Sequence, residues 1–122
     1  MTEQNPRILH VEDDADFCNY IQTLLSGRAT VTRASTLGEA SRVVSEDEFD
    51  LILLDLTLPD GSGMELIHQL RSKGDSTPVL IFSAHEITDS ATGAAAVLVK
   101  GHFVESDLLD TIEGLLRDSV KA

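Results

Sequence analysis

The chain has 122 residues, 42% of them hydrophobic and 25% charged, a size and balance that suit one soluble domain with one core. Its 21 acidic residues outnumber 9 basic ones, for a formal net charge of −12, and so acidic a surface repels phosphate backbones and anionic membranes, which argues against a direct nucleic-acid or membrane partner. No apolar run is long enough to cross a bilayer and residues 1–6 lack the apolar stretch of a secretory signal, so a cytoplasmic location is expected.

Short apolar runs alternate with amphipathic stretches along the chain. Residues 7–11 form an apolar-rich run that stops at Glu12-Asp13-Asp14. Over residues 15–26, Phe17, Ile21, Leu24 and Leu25 recur at helical spacing and Gly27 supplies a C-terminal stop. The lone Cys18 cannot form an internal disulfide and falls on the apolar side of that helix, where it reads as a small core hydrophobe. Residues 29–34 form a β-branched strand centred on Val31. Thr36 and Glu39 have capping-box spacing and open a helix carrying Ala40, Val43 and Val44.

Residues 51–56 are the strongest strand, apolar on both faces except for Asp55, a pattern that suits a parallel strand covered by helices on both sides. Residues 59–63, Pro-Asp-Gly-Ser-Gly, make a turn cluster. A helix over residues 64–72 turns Leu66, Ile67 and Leu70 inward, residues 78–83 give a fourth strand and residues 97–99 a short fifth. The last helix, residues 106–117, carries Leu108, Leu109, Ile112, Leu115 and Leu116 on one stripe. Between Ser83 and the fifth strand, Thr88, Asp89, Ser90, Thr92 and Gly93 are poor helix formers, so residues 85–96 are expected to hold at most a short, mobile helix.

Five strands alternating with helices imply an α/β fold with a doubly wound parallel sheet. Ligands of such sheets bind at the carboxyl ends of the strands, where the strand order reverses. Glu12 and Asp13 follow the first strand, Asp55 ends the third, Ser83 the fourth, and Lys100 follows the fifth. Singly, each has an ordinary explanation as a turn former, a cap or a solvated amine; their convergence on one edge carries the weight. Clustered carboxylates repel unless a cation compensates. Magnesium fits best, because it takes oxygen ligands, keeps several waters and needs only one or two carboxylates plus phosphate. The run from Glu12 to Asp16 lacks the spacing of a calcium loop, and the four scattered His residues do not pair at zinc-ligand spacing. A carboxylate beside magnesium can attack a phosphoryl group, with a lysine as second cation and a small hydroxyl on a third oxygen.

The run Ile8-Leu9-His10-Val11-Glu12-Asp13-Asp14 resembles the opening of a response-regulator receiver domain. Leu53-Leu54-Asp55-Leu56-Thr57-Leu58-Pro59-Asp60-Gly61-Ser62-Gly63 is similar to the phosphorylation-site strand and loop of that family, and Phe82-Ser83-Ala84 and Leu98-Val99-Lys100 resemble its third and fourth signatures. The resemblance covers essentially the whole chain and implies one receiver domain over residues 1–122 with a five-stranded, flavodoxin-like topology. It implies that Asp55 is the phosphoacceptor and that Glu12 and Asp13 are the acidic pair. Magnesium would be held by the side chains of Asp13 and Asp55 and the backbone carbonyl of Thr57, with Glu12 acting through water, while Ser83 and Lys100 would contact the phosphoryl group. The implied donor is a phosphohistidine on a histidine kinase or phosphotransfer protein. The implied role is a signalling domain that catalyses only its own phosphoryl transfer and dephosphorylation.

Three features depart from the family pattern. Val97 stands where an aromatic residue is usual, Gly101 rather than proline follows Lys100, and the interval from Ser83 to Lys100 is short by roughly a turn of helix. A shortened or disordered fourth helix and a monomer are therefore expected. Among other readings, a haloacid-dehalogenase-type phosphohydrolase needs a second Asp where this chain has Thr57, and a flavodoxin-like cofactor binder needs aromatic loops, whereas aromatics make up 4% of the chain. A receiver-fold interaction module that works without phosphorylation is the alternative; the presence of Asp13, Asp55, Ser83 and Lys100 together weighs against it.

Overall fold

The computed structural model describes residues 5–84 and 94–120. Its centre is β3 (Leu51–Asp55), every residue of which is buried. β3 lies parallel between β1 (Arg7–Val11) and β6 (Val79–Ser83); β2 (Thr30–Ala34) flanks β1 and β7 (Ala96–Val99) flanks β6, giving the order β2-β1-β3-β6-β7. All four pairings are parallel, as the doubly wound reading requires.

Strand alternation sorts the apolar side chains onto two faces. Leu9, Val11, Ile52, Leu54, Val79 and Ile81 pack with Leu66, Ile67 and Leu70 of α3 (Met64–Ser72) and with Leu37 and Ala40 of α2 (Leu37–Glu46). Ile8, Leu51, Leu53, Leu80 and Phe82 pack with Ile21 and Leu25 of α1 (Ala15–Leu25) and with Leu108 and Ile112 of α4 (Glu105–Val120). Burying each Leu or Ile contributes about 1.5–3 kcal/mol relative to leaving it exposed, so the two-sided pattern of β3 commits it to the centre of the sheet.

The helix ends follow from local chemistry. Asp14 caps α1, its Oδ1 accepting from the backbone N–H of Asp16 and Phe17 at 2.9 and 3.4 Å, and Gly27 beyond the other end sits at φ +80°. Cys18 is buried on α1, and its thiol donates to the Glu12 carbonyl at 3.6 Å. Thr36 caps α2 by accepting from Glu39 N–H. The reciprocal arm of the expected capping box lands one residue earlier, with Glu39 Oε1 accepting from Ser35 N–H at 2.7 Å. The remaining donors at this end, Leu37 and Gly38 N–H, go to the carboxylate of Asp60 at 2.8 and 3.1 Å, which holds the Asp60 carboxyl below its ordinary pKa.

The expected turn at residues 59–63 closes a small antiparallel pair, β4 (Thr57–Leu58) just before it and β5 (Gly61–Ser62) within it. Beyond it, Gly63 N–H donates to Leu56 O at 2.8 Å. A Cβ on Gly63 would overlap the carbonyl oxygen of Asp55 and press on Leu54 Cγ at 3.0 Å, so glycine is what lets the loop fold back onto the end of β3. The expected weak helix over residues 85–96 falls mostly outside the described residues; its last residue, Ala96, begins β7. No cis peptide occurs among the described residues, so the Lys100–Gly101 bond is trans, and Gly101 sits at φ +81°.

One polar residue interrupts the apolar pattern. His10 on β1 is buried with its ring edge-on to Phe17 and Phe82 at 5.7 and 6.2 Å, and neither ring nitrogen has a hydrogen-bond partner among the described residues. Burial, reinforced by the charges of Lys100 and Arg33, lowers its pKa from 6.5 to about 4, so the imidazole is neutral in the folded protein near neutral pH.

Gly63→Ala should destabilise the fold by about 1–3 kcal/mol through overpacking. Gly74→Ala meets nothing within 4 Å but carries a φ of +78° and should cost only the left-handed backbone strain, roughly 1–2 kcal/mol; urea unfolding compares them, and a harmless Gly63→Ala would contradict the close approach. For His10, the unfolded chain takes up a proton near pH 6.5 and the native state only near pH 4. Its contribution is thus present above the unfolded pKa and lost as pH falls between the two values, by up to about 3 kcal/mol. His10→Leu should flatten that acid decline, and an unchanged pH profile in the variant would contradict a buried neutral imidazole.

Candidate functional site

The strand order reverses between β1 and β3, since the chain passes from β1 outward to β2 and then returns to β3 on the other side of β1. Backbone ladders carry the site residues to this point. Glu12 N–H donates to Ala34 O at 2.9 Å, extending the β1–β2 pairing by one residue. Asp55 pairs with Phe82 at the end of β3, and Lys100 N–H donates to Ser83 O at 2.8 Å, extending the β6–β7 pairing. Four of the five predicted strands therefore deliver Glu12, Asp55, Ser83 and Lys100 to one edge of the sheet.

Glu12 is 1% exposed, and its two oxygens are both engaged: Oε1 accepts from Lys100 Nζ at 2.8 Å and Oε2 from Asp14 N–H at 3.2 Å. Asp55 is nearly as buried; Oδ1 accepts from Thr57 N–H at 3.2 Å and Oδ2 lies 3.7 Å from Lys100 Nζ. Asp13 is exposed. One carboxylate oxygen from each of Glu12, Asp13 and Asp55 falls within 4.8 Å of the others. Ser83 is buried at the end of β6, in register with Val99, and Thr57 is exposed at the start of β4.

Electrostatics follow from that crowding. Burial pushes the Glu12 carboxyl above its ordinary pKa and the Asp55 charge adds to the shift, while the Lys100 and Asp14 hydrogen bonds oppose it. For Lys100 burial works downward, yet the Glu12 hydrogen bond and the Glu12 and Asp55 charges together raise its pKa, so it is a firm ammonium. Three carboxylates against one ammonium leave two negative charges unbalanced. A divalent cation would balance them, and an all-oxygen donor set with an exposed member suits magnesium, which keeps part of its water shell.

Sequence reasoning missed three contributors. Asp60, read as a turn residue, ties the loop after Asp55 to α2. Phe17, read as a core position, places its ring under the Lys100 ammonium, with Nζ 4.8 Å from the centroid. Asp14 both caps α1 and hydrogen-bonds Glu12. Of these, the Asp14 cap alone had a local signal, an Asp directly before a helical pattern.

The family described as "Response regulator receiver domain" matches residues 8–112. The chain is 37% identical over 120 residues to the transcriptional regulatory protein CiaR of Streptococcus pneumoniae, covering 94% of this chain and 53% of that protein. It is 37% identical over 119 residues to the two-component response regulator PhoP of Pseudomonas aeruginosa, covering 93% and 52%. It thus spans about half the length of these two relatives. Among solved structures, a CheY-like response regulator receiver domain protein from Methanospirillum hungatei superposes with a TM-score of 0.87 at 26% identity, covering 97% of this chain and 98% of that one.

Proposed function

Because the chain belongs to the response-regulator receiver family, the phosphoacceptor module of two-component signalling, we propose that Asp55 is the residue that takes the phosphoryl group. The observation that carries this reading is the placement of the Asp55 carboxylate at the strand-order reversal, 3.7 Å from an ammonium and within 4.8 Å of two further carboxylates. Glu12, Asp13 and Asp55, with the carbonyl of Thr57, would hold a magnesium ion there. Bound magnesium supplies neutralising charge to the phosphoryl oxygens.

The chain's own groups do the rest. An oxygen of Asp55 attacks phosphorus in line, the bond from phosphorus to the donor nitrogen breaks, and the imidazole of the donor leaves with that electron pair. Thr57 N–H fixes the carboxylate by its hydrogen bond to Oδ1, and Lys100 supplies a cation for an incoming phosphoryl oxygen. Ser83, at the end of the adjacent strand, offers a hydroxyl to another oxygen. The donor is a phosphohistidine of a histidine kinase or phosphotransfer protein, and the reaction ends on the chain itself. Residues 1–122 act in this reading as one cytoplasmic, monomeric receiver domain, whose output lies with partners of unknown identity.

Incubation with acetyl phosphate and magnesium should add one phosphoryl group by intact mass, and Asp55→Asn should abolish the addition. A wild type that binds magnesium and stays unmodified would favour an interaction module that works without phosphorylation. Magnesium titration separates the ligand roles. Glu12→Ala should weaken binding by roughly tenfold, the lower end for a group acting through a bridging water; Asp13→Ala should weaken it more, because Glu12 already accepts from Lys100 and Asp14. Equal losses would contradict this division.

A further inference from the structure

Lys100 is held from three directions. Its Nζ lies 2.8 Å from Glu12 Oε1, 3.7 Å from Asp55 Oδ2 and 4.8 Å from the centroid of the Phe17 ring. The backbone beyond it turns away at Gly101, φ +81°, with His102 N–H donating to Val99 O, so the following residue adds no side chain to steady the lysine. The Phe17 ring is itself well fixed. It stands edge-on to Phe82 at 5.0 Å with an interplanar angle of 84°, meets His10 at 5.7 Å and stacks on Tyr20 at 6.0 Å. Its backbone N–H is capped by Asp14.

We propose that Phe17 is a positioning residue for phosphoryl transfer: its ring face holds the Lys100 ammonium beside Asp55, where it meets the incoming phosphoryl oxygens. This rests on the reading of Asp55 as phosphoacceptor. A lysine side chain has four rotatable bonds and a strongly hydrated head, so its place is set by whatever attracts it. Glu12 and Asp55 both do this. With a divalent cation on the same carboxylates, their pull on the ammonium weakens and like charges repel it. The quadrupole of a ring is untouched by that neutralisation. Phe17 is thus the attraction that persists under the conditions in which phosphorylation occurs, and it comes from α1, a helix with no other side chain on Lys100 among the described contacts.

The test uses the full chain with acetyl phosphate and magnesium. Phe17→Leu and Phe17→Met keep an apolar side chain without a ring face, and each should slow phosphorylation by about threefold to tenfold, the range for a partly exposed cation–π contact. Phe17→Tyr should restore most of the rate. In a Lys100→Met background the same ring removals should change the residual rate by less than about twofold, because the contact they remove is already gone. Independently of phosphorylation, the Lys100 ε-methylene protons should resonate upfield in the wild type and in Phe17→Tyr, and at ordinary lysine positions in Phe17→Leu. Equal fold losses in both backgrounds would make Phe17 a packing residue only, and ordinary ε-methylene shifts in the wild type would remove the contact itself; either overturns the proposal while leaving Asp55 phosphorylation standing. A wild type that is never phosphorylated, with the upfield shift intact, overturns the phosphoacceptor reading and with it this role.

Discussion

Like-charge crowding at the reversal of strand order is the constraint on which the rest of this structure depends. Glu12 and Asp55 are brought together by adjacent parallel strands, β1 and β3, in a register that the apolar side chains of both faces enforce. A slip of one residue would turn each core face outward, so the sheet cannot relieve the repulsion by sliding. Relief has to come from a cation. Lys100 provides one, 88 residues from Glu12 along the chain, and with Asp13 in the same cluster two negative charges stay unbalanced, an arrangement compatible with a second cation.

Around that edge the loops are arranged to hold still. The segment after Asp55 is pinned twice: Gly63 returns to Leu56 and lies against the Asp55 carbonyl, and Asp60 reaches across to the first turn of α2. Asp60 satisfies donors that a helix start otherwise leaves open, so one carboxylate serves both helix formation and loop placement. On the other side, Asp14 caps α1 with its side chain while its N–H orients Glu12. The acidic run Glu12-Asp13-Asp14 is therefore divided by function, with Glu12 turned into the buried edge, Asp13 left at the surface and Asp14 committed to the helix.

Much of this was legible in the sequence because it depends on local pattern. The continuous apolarity of residues 51–54 marks a strand buried on both faces, and β3 is that strand. The helical spacing of Leu66, Ile67 and Leu70 predicts α3 over the residues it occupies. Strand ends followed by acids, a hydroxyl and a lysine locate the edge, since parallel topology brings those ends together. The rest was not legible because it is made by tertiary contact. Nothing near Asp60 in sequence points to Leu37 and Gly38, and Phe17 reads as one more apolar position of an amphipathic helix. Nothing in the sequence around His10 shows that it is buried with both nitrogens unpaired among the described residues, which is a property of the packed aromatic cluster that includes Phe17 and Phe82.

The sharing of one ammonium between two carboxylates has a mechanical consequence. Lys100 is closer to Glu12 than to Asp55, at 2.8 against 3.7 Å, so in this state its hydrogen bond goes to the more buried acid. On the proposed reading, a phosphoryl group on Asp55 presents oxygens of greater charge on the far side of the lysine and draws the ammonium toward them. Glu12, 1% exposed, then loses part of its only cationic partner among the described residues, and an uncompensated buried carboxylate is costly. On the same reading two things would limit that cost: a magnesium ion held beside Asp13, and the Asp14 N–H from which Glu12 Oε2 accepts. That N–H belongs to the cap of α1, and Phe17 on the same helix carries the ring against Lys100, so on the proposed reading a charge shift at Asp55 would reach the start of α1 through Lys100 and Glu12. Val97 is in register with Ile81 and is β-branched, with few side-chain rotamers, so it cannot swing as an aromatic ring would. Asp55 touches Thr57 N–H and Lys100 Nζ directly, and α1 lies one contact further on.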